Sequence, residues 1–126
     1  MKVISSSKAP SAIGPYSQAI ISGELVYTSG VIPASPETGK IIGETAQDQA
    51  EQAFSNLSGL LEDAGSSIGK VIKTTVFIKN MNDFAKINEV YARYFKEPYP
   101  ARSCVEVARL PKDVLIEIEA VAETGD

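Results

Sequence analysis

The chain has 126 residues, 44% hydrophobic and 22% charged, with 12 basic and 16 acidic side chains and a net charge of −4. That length fits one domain over residues 1–126 with a real core, and scattered Lys and Arg with no basic run give no footprint for nucleic acid. One cysteine and no histidine exclude an internal disulfide and a Cys-rich metal site and remove the commonest metal ligand and general base.

In chain order, residues 2–5 read as a short first strand. "MKVISSSKAP" lacks the apolar core of a signal peptide, and no apolar run approaches membrane-spanning length, so a cytoplasmic location is expected. "APSAIGPYS" (9–17) carries too many breakers for a regular element. "QAIISGELVYTSG" (18–30) predicts two strands around Ser22-Gly23-Glu24. "VIPASPETGKII" (31–42) is a loop with a turn at "SPETG". A helix then starts at Thr45, an N-cap with Asp48 three residues on. Ala50, Ala53, Phe54, Leu57, Leu60, Leu61 and Ala64 give it an apolar face, and Gly65 closes it where a left-handed residue is wanted.

"KVIKTTVFIKN" (70–80) is β-branched and predicts a strand. Its Val71, Lys73, Thr75 and Phe77 alternate with Ile72, Thr74, Val76 and Ile78. A second helix is predicted over 82–96, with Phe84, Ile87, Tyr91 and Tyr94 as its stripe, and "EPYPA" stops it. "RSCVEVA" (102–108) and "VLIEIEAVA" (114–122) predict strands joined by "RLPKD" as another hairpin. The order β-β-β-α-β-α-β-β implies an α+β domain with both helices on one face of a mixed sheet.

Period-two alternation puts Arg102, Cys104 and Glu106 on one face of their strand and Glu117 and Glu119 on one face of theirs. Leu115, Cys104 and Val121 are read as sharing that acidic face, while Ile116, Ile118 and Ala120 turn toward the helices. A mixed outer face is either solvated or meets another subunit. Arg102, at a strand start, is either a solvated edge residue or a fixed guanidinium for a small carboxylate. Asn88 either bonds nearby backbone or touches a ligand. Tyr16 is a packing lid or a hydrogen-bond donor. Cys104 reads as a small buried hydrophobe, since no histidine exists to activate it. "TSG" (28–30) offers a hydroxyl and a permissive glycine at a strand end.

Several stretches, "APSAIGPYSQAI", "VYTSGVIP", "KTTVFIKNMNDFAKINEVYARYF" and above all "PARSCVEVARLPKDVLIEIEAVA", resemble the RidA (YjgF-like) family of reactive-intermediate deaminases. The likeness runs from about residue 8 to residue 122. It implies a chorismate-mutase-like α+β fold and a homotrimer, with sheets forming a central barrel, helices outside and active sites between subunits. It also implies hydrolysis of enamines and imines such as 2-aminoacrylate to 2-keto acids and ammonia, with no metal and no cofactor. By likeness, Arg102 matches the carboxylate-binding arginine and Glu117 the acid near the attacking water. Tyr16, Ser29, Gly30, Asn88 and Cys104 match the other pocket positions. The chain departs at Val31, where many members carry glutamine, so that position is not counted as a ligand contact. The loop "YFKEPYPARS" is also short beside some members. Two other readings stay open: a small 2-ketoacid-binding protein without turnover, and an RNA-directed nuclease or translation inhibitor, which the acidic balance opposes.

Overall fold

The structure, a computed structural model, describes residues 1–125. Six strands form one sheet: β1 (Lys2–Ile4), β2 (Ala19–Ser22), β3 (Leu25–Thr28), β4 (Val71–Ile78), β5 (Ala101–Glu106) and β6 (Ile116–Glu123). Two helices, α1 (Ala46–Asp63) and α2 (Phe84–Tyr94), pack together on one face. The fold is therefore α+β, and the predicted element order holds.

Helix α1 begins where Thr45 accepts a hydrogen bond from Asp48 N at 3.1 Å, which satisfies one of the first-turn donors. Its stripe, with Phe54, Leu57 and Leu61 fully buried, meets Ile118 and Val76 of the sheet in the core. Burying a side chain of that size contributes about 2 kcal/mol. Phe54 meets Tyr91 of α2 edge-on at 5.8 Å, and Tyr91 stacks on Phe95 at 4.2 Å. These aromatic contacts tie the two helices to each other as well as to the sheet.

The strand order is β1-β2-β3-β6-β4-β5. The hairpin expected from residues 102–108 and 114–122 does not form, because β4 lies between them. β5 runs parallel to β4, with α2 as the crossover that a parallel pair requires. β6 runs antiparallel to both β3 and β4. Burial explains the placement: Ile116, Ile118, Ala120 and Ala122 of β6 are buried and suit a central strand, whereas β5 is mostly exposed and suits an edge. A register shift between Val71 and Lys73 also breaks the simple alternation read for β4. Val71 joins Thr74, Val76 and Ile78 on the helix side, and Ile72 is exposed.

The registers set which side chains share a face. Thr74 pairs with Arg102 and Val76 with Cys104, while the same Val76 pairs with Ile118. Arg102 and Cys104 therefore face the helices. Glu117 pairs with Phe77, which pairs with Val105, so Glu117 lies on the opposite face. The expected grouping of Cys104 with Leu115 and Val121 beside the acids is corrected accordingly. A one-residue offset in a period-two element is enough to invert a face.

Candidate functional site

On the helix face, Arg102 at the start of β5 leans over α2. Its Nη1 donates to Asn88 Oδ1 at 2.7 Å. Its guanidinium carbon sits 4.7 Å from the centre of the Tyr91 ring and 5.4 Å from that of Phe84. Phe84, Asn88 and Tyr91 share one side of α2 because they are four and seven residues apart. Asn88 is thus seen to bond Arg102 rather than nearby backbone. Cys104 follows two residues on, half-buried against the core. Burial pushes its thiol up, with Arg102 pulling more weakly the other way. A thiol so held is a poor nucleophile at neutral pH.

On the other side of the sheet Glu117 is half-buried. Burial raises its carboxyl above the ordinary 4.5, and neighbouring Glu119 adds to the effect. Such a carboxyl can carry a proton nearer to neutral pH than a solvated one. Its place is set by the segment after β3. Val31 exchanges backbone hydrogen bonds with Ile118, at 2.7 and 3.0 Å, which brings Gly30 over Glu117. A β-carbon at Gly30 would fall 2.6 Å from Glu117 Cδ, closer than side chains approach. Val31 itself is 5% exposed and belongs to the core.

A cavity of about 360 Å³ opens beside Gly30, between the 9–16 loop and residues 29–39. Tyr16, Ser29 and Gly30 line it together with Ile13, Ile32 and Lys112. Ser29 Oγ donates to Ser17 O at 2.6 Å, and Gln18 holds the loop through Ser6 N at 2.7 Å and Pro10 O at 2.7 Å. Tyr16 remains half exposed at the rim.

The predicted site residues therefore fall into two groups. Asn88, Arg102 and Cys104 come together on one face, and Tyr16, Ser29, Gly30 and Glu117 cluster around the strand end that reaches the other. A single chain does not bring the groups together. Phe84 and Tyr91, read from the sequence as a core stripe, also hold the arginine, and their spacing from Asn88 was the available signal. Among the described residues no group of His, Cys, Asp and Glu could hold a metal ion, and no helix is long and apolar enough to cross a membrane.

What the arrangement offers is a fixed guanidinium for an anion and a half-buried carboxyl for proton transfer, on a two-layer α+β scaffold. Known proteins agree with this class. A family profile described as Endoribonuclease L-PSP matches residues 6–124. The chain is 56% identical over 121 residues to a RutC family protein of Pyrococcus horikoshii, with 96% of each chain covered. It is 51% identical over 124 residues to a 2-iminobutanoate/2-iminopropanoate deaminase of Escherichia coli K12, again with 96% of each covered. The crystal structure of E. coli TdcF with bound serine superposes with a TM-score of 0.93 at 52% identity, covering 99% of this chain and 100% of that one. The chain belongs to the RidA (YjgF-like) family.

Proposed function

We propose that this protein is a deaminase that hydrolyses 2-imino acids, and the enamines that tautomerise to them, to 2-keto acids and ammonia. The fixed guanidinium of Arg102 carries this reading. A planar fork that is always charged matches a carboxylate in two hydrogen bonds. Holding the carboxylate orients a small substrate that has little else to grip. The proposed acid is Glu117, whose raised carboxyl suits proton transfer in both directions.

In the proposed reaction, an enamine gains a proton at C3 and loses one from nitrogen to give the imine, whose C2 is electrophilic. A water oxygen bonds to C2 as the C=N π pair moves to nitrogen, which takes a proton from solvent, and Glu117 accepts a proton from the attacking water. The carbinolamine then collapses: its hydroxyl proton leaves, the C–N bond breaks, and Glu117 returns its proton to the departing ammonia. The balance is imine plus water to keto acid plus ammonia, and it calls for no redox partner.

Arg102 and Glu117 lie on opposite faces of one sheet, and this supports a site completed by a second copy of the chain in a homotrimer. Tyr16, Ser29, Gly30, Asn88 and Cys104 are proposed to line it. An excess of acidic over basic residues, 16 against 12, favours a small-molecule substrate over the RNA-directed activity in the family profile's name. The test couples a serine dehydratase to this protein and follows semicarbazide trapping of the released imine. Arg102→Ala is expected to lose on the order of a hundredfold in efficiency while remaining folded, and Arg102→Lys to be poor as well. Glu117→Gln is expected to bind pyruvate yet turn over slowly. Wild-type turnover by Arg102→Ala would sink the assignment.

A further inference from the structure

We infer that Tyr91 and Thr74 are positioning residues for Arg102: a buried hydroxyl pair fixes the aromatic ring on which the guanidinium rests. The inference rests on the proposed role of Arg102 in holding a carboxylate.

Arg102 is exposed on an edge strand, and a long arginine side chain there ordinarily samples many rotamers. Three contacts restrain it here, namely Asn88 Oδ1 and the rings of Phe84 and Tyr91. Asn88 is its one hydrogen-bond partner among the described residues, which leaves the other N–H donors for a ligand. The Tyr91 ring also stacks on Phe95 at 4.2 Å. The Tyr91 ring thus touches both Phe95 and the guanidinium. Its tilt therefore sets where the guanidinium points.

The tilt is held from below. Tyr91 O–H and Thr74 Oγ1 are 2.8 Å apart in a buried hydrogen bond. Thr74 is 0% exposed and sits in β4 among Val76 and Ile78. Valine there and phenylalanine at 91 would fill the same space without burying two hydroxyls, and a polar pair adds little to core stability over apolar groups of the same shape. What the pair adds is direction. Thr74 is also the register partner of Arg102 across the β4–β5 ladder. One pair of neighbouring strands thus fixes both the base of the arginine and the ring under its tip.

The test compares Thr74→Val, Tyr91→Phe and Tyr91→Leu with wild type and with Arg102→Ala. Pyruvate affinity is measured by calorimetry, the order of the Arg102 Nε–H by ¹⁵N relaxation, and KM and kcat in the coupled assay. Thr74→Val and Tyr91→Phe, which keep the shape of the core, are expected to weaken pyruvate about threefold. Tyr91→Leu, which also removes the ring, is expected to weaken it about tenfold. The Arg102 order parameter should fall in the same sequence. KM should rise with kcat nearly constant, because a carboxylate anchor acts in ground and transition states alike. If Thr74→Val and Tyr91→Phe lowered only the melting temperature, leaving pyruvate affinity and Arg102 order unchanged while Arg102→Ala abolished binding, the pair would be structural alone and the inference wrong. If Arg102→Ala bound pyruvate as wild type does, the functional reading itself would fail, and this inference with it.

Discussion

At Gly30 the absent side chain decides the local geometry: the carboxyl of Glu117 stands where a β-carbon would be. The two residues are read from separate motifs in the sequence, "TSG" and "LIEIEA", and meet only because Val31 pairs with Ile118. Closing over Glu117 in this way removes water from its carboxyl, and Glu119 on the same face opposes its charge. The consequence for stability has a definite sign. Folding raises this pKa, so the folded state holds more protons than the unfolded one from pH 4.5 upward. Stability must then fall as pH rises through that window and the raised folded value. Glu117→Gln carries no such proton. Its melting temperature relative to wild type is expected to climb from pH 4 toward pH 8, in scans across that range. A difference independent of pH would show that the carboxyl is not raised.

Among the elements, α1 depends on more than its stripe. The segment after β1 crosses it at Gly59, where a β-carbon would come 2.6 Å from Lys8 Cβ and 3.2 Å from Lys8 O. Ser6 Oγ donates to Asp63 Oδ2 at 2.5 Å at the end of the helix, and the adjoining chain leads through the Gln18 hydrogen bonds to Tyr16. Alanine is a better helix former than glycine by about 1 kcal/mol, so an exposed site would gain from Gly59→Ala. Here the segment must move, and the urea midpoint is expected to fall; a raised midpoint would mean the crossing is not tight. This close approach was not legible in the sequence, because no local pattern marks where a distant segment crosses a helix. What was legible is what period and capping record: Thr45, the Phe54–Leu57–Leu61 stripe, the β-branched run of β4 and the element order. The partners of β5 and β6 were not. Adjacent strands with a short connection suggest a hairpin, and the preference of β6 for a central position shows only once all its alternate residues are seen buried. With that pairing missed, Arg102 and Cys104 were placed on the face of Glu117, which itself turns away from the helices as its alternation with Ile116 and Ile118 predicts.

At the scale of the whole molecule, the opposite faces of Arg102 and Glu117 make a strong demand. If both act on one small substrate, they come from different copies of the chain. The proposed homotrimer satisfies this as a closed head-to-tail ring, in which each copy gives its arginine to one neighbour's acid and its acid to another's arginine. The proposal can be tested without a structure of the assembly. Arg102→Ala chains keep the acid and lack the anchor; Glu117→Gln chains keep the anchor and lack the acid. Each homotrimer is expected to be nearly inactive. When the two are unfolded together and reassembled in equal amounts, random rings should place a wild-type arginine against a wild-type glutamate at about one site in four. Activity near a quarter of wild type should therefore appear in the coupled assay, and should not appear when the two preassembled variants are merely mixed. If both residues worked within one chain, every chain in the hybrid would lack one of them and the mixture would stay inactive. Native mass spectrometry of the reassembled sample, with one variant isotope-labelled, checks that hybrids formed, so an inactive sample of hybrid trimers would sink the shared site.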